Sequence, residues 1–186
     1  MRIAVAIFVC QAWLHALAQE SVHPVVGDGS LVANARIGEC ETSALIEALK
    51  DDDPDVRKAA ASALGRIGSS AASSVPALIE RLGDEHSGVR AYAYNALGNI
   101  GPAAVRALVK TLDDENAFRR GGAARALGRI GTDGKTIIPA LIRLLNNEVS
   151  YVSFSASIAL GDVGPESVPA LIKVRETCDP IARYWA

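Results

Sequence analysis

Aromatic side chains are scarce in this chain: three Phe, two Trp and four Tyr stand among 186 residues. A single domain of this size can bury a sizeable core, which must here be built from Ala, Leu, Ile and Val. Histidine is as rare, and His15, His23 and His86 are scattered rather than grouped, so no metal set is legible. No nucleophile and base recur at a fixed spacing, so no catalytic residue and no cofactor is expected. The net charge of −2, with no block of Lys and Arg, argues against nucleic acid as partner, because such binding rests on phosphate neutralisation. The acidic stretches "DDDPD" and "LDDEN" lack the glycine and terminal glutamate of a calcium loop and read as solvated turns. "GDGS" at Gly27–Ser30 reads as a turn and helix cap rather than a phosphate loop.

Long apolar runs are missing too, except at the start. "MRIAVAIFVCQAWLHALAQE" has one positive charge at Arg2, an apolar stretch, and small residues in A-x-A form at Ala16-Leu17-Ala18. That is the layout of a secretory signal peptide over residues 1–18. The competing reading is a spanning or buried helix, but the run is short and interrupted by Gln11 and His15. A secreted or periplasmic location is expected, with no stable membrane span after cleavage. Export invites a disulfide between Cys40 and Cys178. The repeat map below sets them about four stacked units apart, far beyond bridging distance at ~8–10 Å per packed helix.

What the sequence does contain is repetition. "ALGRIG" occurs at Ala63–Gly68 and Ala126–Gly131, with "ALGNIG" at Ala96–Gly101 and "ALGDVG" at Ala159–Gly164. A second word, "ALIEAL" and its variants, starts at Ala44, Ala77, Ala107, Ala140 and Ala170, in steps of 33, 30, 33 and 30. From the Leu of one word to the Leu of the other is always 19 residues, as from Leu45 to Leu64. A body of fixed length with a variable joint marks a repeated structural unit.

Each unit reads as two helices. Leu45, Ile46 and Leu49 give the first an apolar stripe, and Pro76, Pro139 and Pro169 suit a first helical turn. After an acidic turn, the second helix places Val56, Ala60, Ala63, Leu64 and Ile67 on one side, and the final glycine closes it. The glycine inside the second helix (Gly65, Gly98, Gly128, Gly161) costs about 1 kcal/mol relative to Ala. Its repetition predicts a seam of small residues where one helix pair lies against the next.

Asp51, Asp84 and Asp114 each precede an arginine by six residues, Arg57, Arg90 and Arg120; in the fourth unit both members change, to Asn147 and Ser153. Joint loss predicts a paired ladder, within a unit or across a seam, because half a buried pair is costly. Residues 19–43 form a leader and a degenerate half-repeat cap, since "ANARIG" ending at Gly38 matches the first word in part. Residues 44–186 hold four full repeats and a truncated fifth, whose lack of a polar cap suggests a longer protein or a covered face.

Helix pairs of this length bearing "ALI..L.D.....VR..A..ALG.IG" resemble the short HEAT-like repeats named after the phycobilisome lyases. The resemblance implies an all-α fold, a right-handed α-solenoid of stacked helical hairpins, with the second helices on the concave side. Functions it implies include bilin lyase subunits, a di-iron hydroxylase, and plain binding scaffolds. The hydroxylase places His-Glu pairs at recurring positions to hold iron; here the single adjacent pair is reversed, Glu85-His86, which disfavours it.

If the scaffold uses small and aliphatic residues, the rings become informative. Tyr92, Tyr94, Phe118, Tyr151 and Phe154 all fall in second helices or the turns entering them, at positions that vary between units. Together with Asn95, Arg125 and Arg129 they have the chemistry of a protein-binding surface. Tyr94 and Phe154 are expected to face solvent. The reading is a non-catalytic protein–protein interaction scaffold, exported, with a protein partner. A bilin-lyase-type enzyme or subunit, and an accessory repeat region of a larger secreted protein, are the alternatives.

Overall fold

A computed structural model describes residues 41–132 and 134–177, all within one compact unit, Ile37–Ala186. The signal segment, the leader and its half-repeat cap to residue 40, and the last nine residues lie outside the described residues. Those described form helices and turns with no strand. In chain order they are α1 (residues 41–48), α2 (Pro54–Ile67), α3 (Val75–Arg81), α4 (Ser87–Ile100), α5 (Pro102–Thr111), α6 (Ala117–Ile130), α7 (Gly134–Leu144), α8 (Ser150–Val163) and α9 (Val168–Thr177). Odd-numbered helices are the first helices of successive repeats and even-numbered ones the second. A 3₁₀ segment, Gly68–Ser74, joins the first two repeats, and a shorter one, Pro165–Ser167, leads into α9.

The repeated words explain the helix ends. Gly68, Gly101, Gly131 and Gly164 all have positive φ, between 62° and 85°. A side chain there would be strained, so the same residue ends each second helix. Three of them donate their backbone N–H to the carbonyl of the repeat's conserved-in-register leucine: Gly68 to Leu64, Gly101 to Leu97 and Gly131 to Leu127. Pro76 and Pro169 lie in first turns as the sequence predicts, but α7 starts at Gly134 and carries Pro139 inside it. Pro139 is exposed, so the carbonyl deprived of its N–H partner can be met by water rather than left buried.

Six leucines of the two words, Leu64, Leu78, Leu97, Leu108, Leu127 and Leu141, have no measurable exposure and belong to one continuous core. Burying each is worth about 2 kcal/mol. The second helices of neighbouring repeats pack on one another, so the core runs on from one helix pair to the next.

Successive second helices meet at the inner glycines, but not all joints are alike. A Cβ added to Gly65 would stand 3.0 Å from Cα of Ala96, and one on Gly128 would stand 2.6 Å from Cα of Ala159. Backbone therefore faces backbone where α2 meets α4 and where α6 meets α8. Between α4 and α6 the neighbour of Gly98 is a side chain: a Cβ would lie 2.9 Å from Cβ of Arg129 and 3.0 Å from its Nε. The expected neighbour of Gly161, the second helix of the fifth repeat, lies outside the described residues. The tight joints are those spanned by 33-residue steps, and the side-chain-filled joint is the 30-residue one.

Candidate protein-binding face

The ladder of aspartates and arginines does two separate jobs. Each Asp, and Asn147 in the fourth unit, uses Oδ1 to accept the backbone N–H two residues on: Asp53 for Asp51 (2.9 Å), His86 for Asp84 (3.0 Å), Asn116 for Asp114 (2.8 Å) and Val149 for Asn147 (3.1 Å). An amide oxygen serves this turn as well as a carboxylate does, which is why Asn replaces Asp without loss of the turn. Each Arg uses Nη1 to bind two carbonyls of the same turn. Arg57 reaches Asp51 and Asp52, Arg90 reaches Asp84 and Glu85, and Arg120 reaches Asp114 and Glu115, all at 2.8–2.9 Å. Within a unit, then, the arginine holds the backbone of the acidic turn and not its aspartate side chain.

A forked ion pair forms across a joint. Arg57 Nε and Nη2 donate to Asp84 Oδ2 and Oδ1, both at 2.9 Å, with both side chains buried. Burial works to raise the Asp84 carboxyl, but the bonds from Arg57 and from the His86 N–H outweigh it and hold the group below the usual carboxylate range. The hydrogen bond to Asp84 likewise raises Arg57. The next arginine does not repeat this. Arg90 and Asp114 are 24 residues apart, against 27 for Arg57 and Asp84, and Asp114 is approached by Arg119 instead (3.4 Å). Arg90 lies over the Phe118 ring, 4.3 Å from its centroid.

That stack opens onto the surface formed by the second helices. Phe118 and Tyr151 occupy the same position in consecutive repeats and meet edge to face, centroids 5.6 Å apart. The Tyr151 ring lies against Gly121, where any Cβ would collide with it, and Gly122 gives the same room to Leu82. The pair of glycines in α6 is thus a seat for two large neighbours. Phe154, Tyr92, Phe118 and Tyr151 are 47, 45, 44 and 38% exposed. Tyr94 differs from its expectation: it is half-buried and packs on the core, with Arg125 over its ring at 5.0 Å. Asn95 and Arg125 are half-buried and Arg129 is exposed, with Arg129 Nη2 donating to Asn99 Oδ1 at 3.4 Å.

Arg90 is the member of this surface that sequence reasoning placed elsewhere. It reads as a ladder residue because it matches Arg57 in register; the signal against that is the three-residue shortfall to Asp114. Among the described residues no group of three or more His, Cys, Asp or Glu could hold a metal ion, and no helix is long and apolar enough to cross a membrane.

Stacked helix pairs with a ring-bearing second-helix surface define a helical repeat scaffold. A family model for HEAT repeats matches residues 42–128 and 107–186, and the chain belongs to that family. The MAST/Orbit N-terminal domain is similar in fold, with a TM-score of 0.62 at 18% identity over 100% of this chain and 88% of that one. The complex of CpcE and CpcF of phycocyanin lyase from Nostoc sp. PCC7120 gives 0.56 at 20% identity, over 78% of this chain and 95% of that one. Human deoxyhypusine hydroxylase gives 0.43 at 21% identity, over 85% and 78%. No curated protein sequence matches the chain.

Proposed function

We propose that this protein is a non-catalytic interaction scaffold that binds a protein partner on its second-helix surface. The observation that carries the reading is the row of solvent-facing rings, Tyr92, Phe118, Tyr151 and Phe154, on a scaffold whose core needs none of them. Large rings left in water cost hydrophobic free energy that a partner would recover, and Tyr and Arg are the residues that dominate such contacts. Phe118 is held in place by Arg90, and Tyr151 by Phe118 and Gly121. A held ring loses less entropy on binding.

The signal-like opening of the chain supports export, which makes a secreted or periplasmic partner the expected one. The family also includes enzyme subunits, and the lyase likeness is the reason to keep that second reading. Colour or stoichiometric metal in the purified protein would favour it. The test is retention of a native protein by the wild type and by Tyr92→Ala/Phe154→Ala, with helicity checked by circular dichroism. A protein held by the wild type and lost from a folded variant supports the proposal. Equal retention by both removes the surface from consideration.

A further inference from the structure

Charge on the second-helix surface is one-sided on α4 and α6, while the single charged residue of α8 is Asp162. α4 and α6 together hold five arginines, Arg90, Arg119, Arg120, Arg125 and Arg129, and no Asp or Glu. Three of the five are occupied: Arg90 and Arg120 by turn carbonyls and Arg119 by Asp114. Arg125 and Arg129 are different. Among the described residues neither forms an ion pair; Arg125 rests on the Tyr94 ring and Arg129 on the Asn99 amide oxygen. Both side chains are therefore propped from α4 with no carboxylate at ion-pair distance among the described residues, and a stacked guanidinium keeps its N–H edge for a carboxylate.

Resting on the second-helix surface being the binding face, we infer that the partner presents an extended acidic segment with carboxylates at alternate positions, one for Arg125 and one for Arg129. The two arginines are four residues apart on one helix, so their Cβ atoms are about 5–6 Å apart. Alternate side chains of an extended strand project on one side about 6.6 Å apart, a spacing that two flexible guanidinium arms match. The exposed rings Tyr151 and Phe154 on the adjoining α8 supply apolar contact beside the charged pair. A nucleic acid fits less well, because its phosphates continue past the two arginines toward the exposed Asp113 and the acidic turn that enters α6.

The experiment is fluorescence anisotropy on the full chain with labelled peptides of alternating Glu and Ser, Gln and Ser, or Lys and Ser, and with single-stranded DNA. The variant is Arg125→Gln/Arg129→Gln, and the control is Arg106→Gln/Lys110→Gln, which removes the same charge from the first-helix surface at exposed sites. The Glu peptide is expected to bind about tenfold more tightly than the Gln peptide, with that advantage lost in the variant, kept in the control, and weakened by salt. Equal binding of Glu and Gln peptides, equal loss in the control, stronger binding of DNA, or no peptide binding overturns the acidic assignment. If the Gln peptide binds as well as the Glu peptide and Phe154→Ala abolishes both, the binding face stands and only its charge preference falls.

Discussion

Arg57 and Asp84 join the first two repeats through two parallel hydrogen bonds, with 6% and 3% of their side chains exposed. Removing one member leaves the other's charge buried without its partner. Asp84→Asn is therefore expected to destabilise the fold by about 3 kcal/mol at neutral pH, read from urea unfolding. An unchanged midpoint would mean that the turn carbonyls alone satisfy Arg57.

The same pair sets an acid limit. Asp84 is held below its ordinary value of 3.8, so its contribution is fully present above that value and lost as pH falls through the lower folded value. Wild-type stability should thus drop below about pH 4, and the drop should be shallower in Asp84→Asn. Parallel acid limbs for the two proteins would contradict this.

Asn147 stands 27 residues after Arg120, as Asp84 does after Arg57, yet Arg120 Nε is buried with no hydrogen-bond partner among the described residues. Asn147→Asp supplies the missing carboxylate without disturbing the turn that Asn147 already makes. A gain of about 1 kcal/mol in thermal unfolding is expected. Loss of stability would show that the third joint does not share the geometry of the first.

The inner glycines give a paired test. Gly128→Ala would push a methyl into the backbone of Ala159 and should cost about 2–3 kcal/mol. Gly98→Ala meets the Arg129 side chain rather than backbone and should cost less. A larger loss at Gly128 is the expected readout; equal effects would mean that backbone contact at the seam is not what retains these glycines.

The helix pairs, their caps and their seam were legible because they recur: a glycine that must take positive φ, or lie against backbone, has few substitutes. The partnerships between side chains were less so. Arg57 and Arg90 look alike in register, but one pairs with a carboxylate and the other with Phe118, because a joint three residues shorter moves Asp114 out of line. The sequence alone sets Tyr94 beside Phe154 as a solvent-facing ring. Whether a ring at that position turns inward depends on a neighbouring helix delivering Arg125 on top of it, which no local pattern records.

The most direct measurement is site-specific photo-crosslinking in the native extract, with a photoreactive phenylalanine analogue at Phe154 on α8 or at Lys110 on α5, both exposed. A discrete protein adduct at position 154 and none at 110 is the predicted result. Adducts at 110 alone, or the same adducts at both, would place the partner elsewhere and contradict the account.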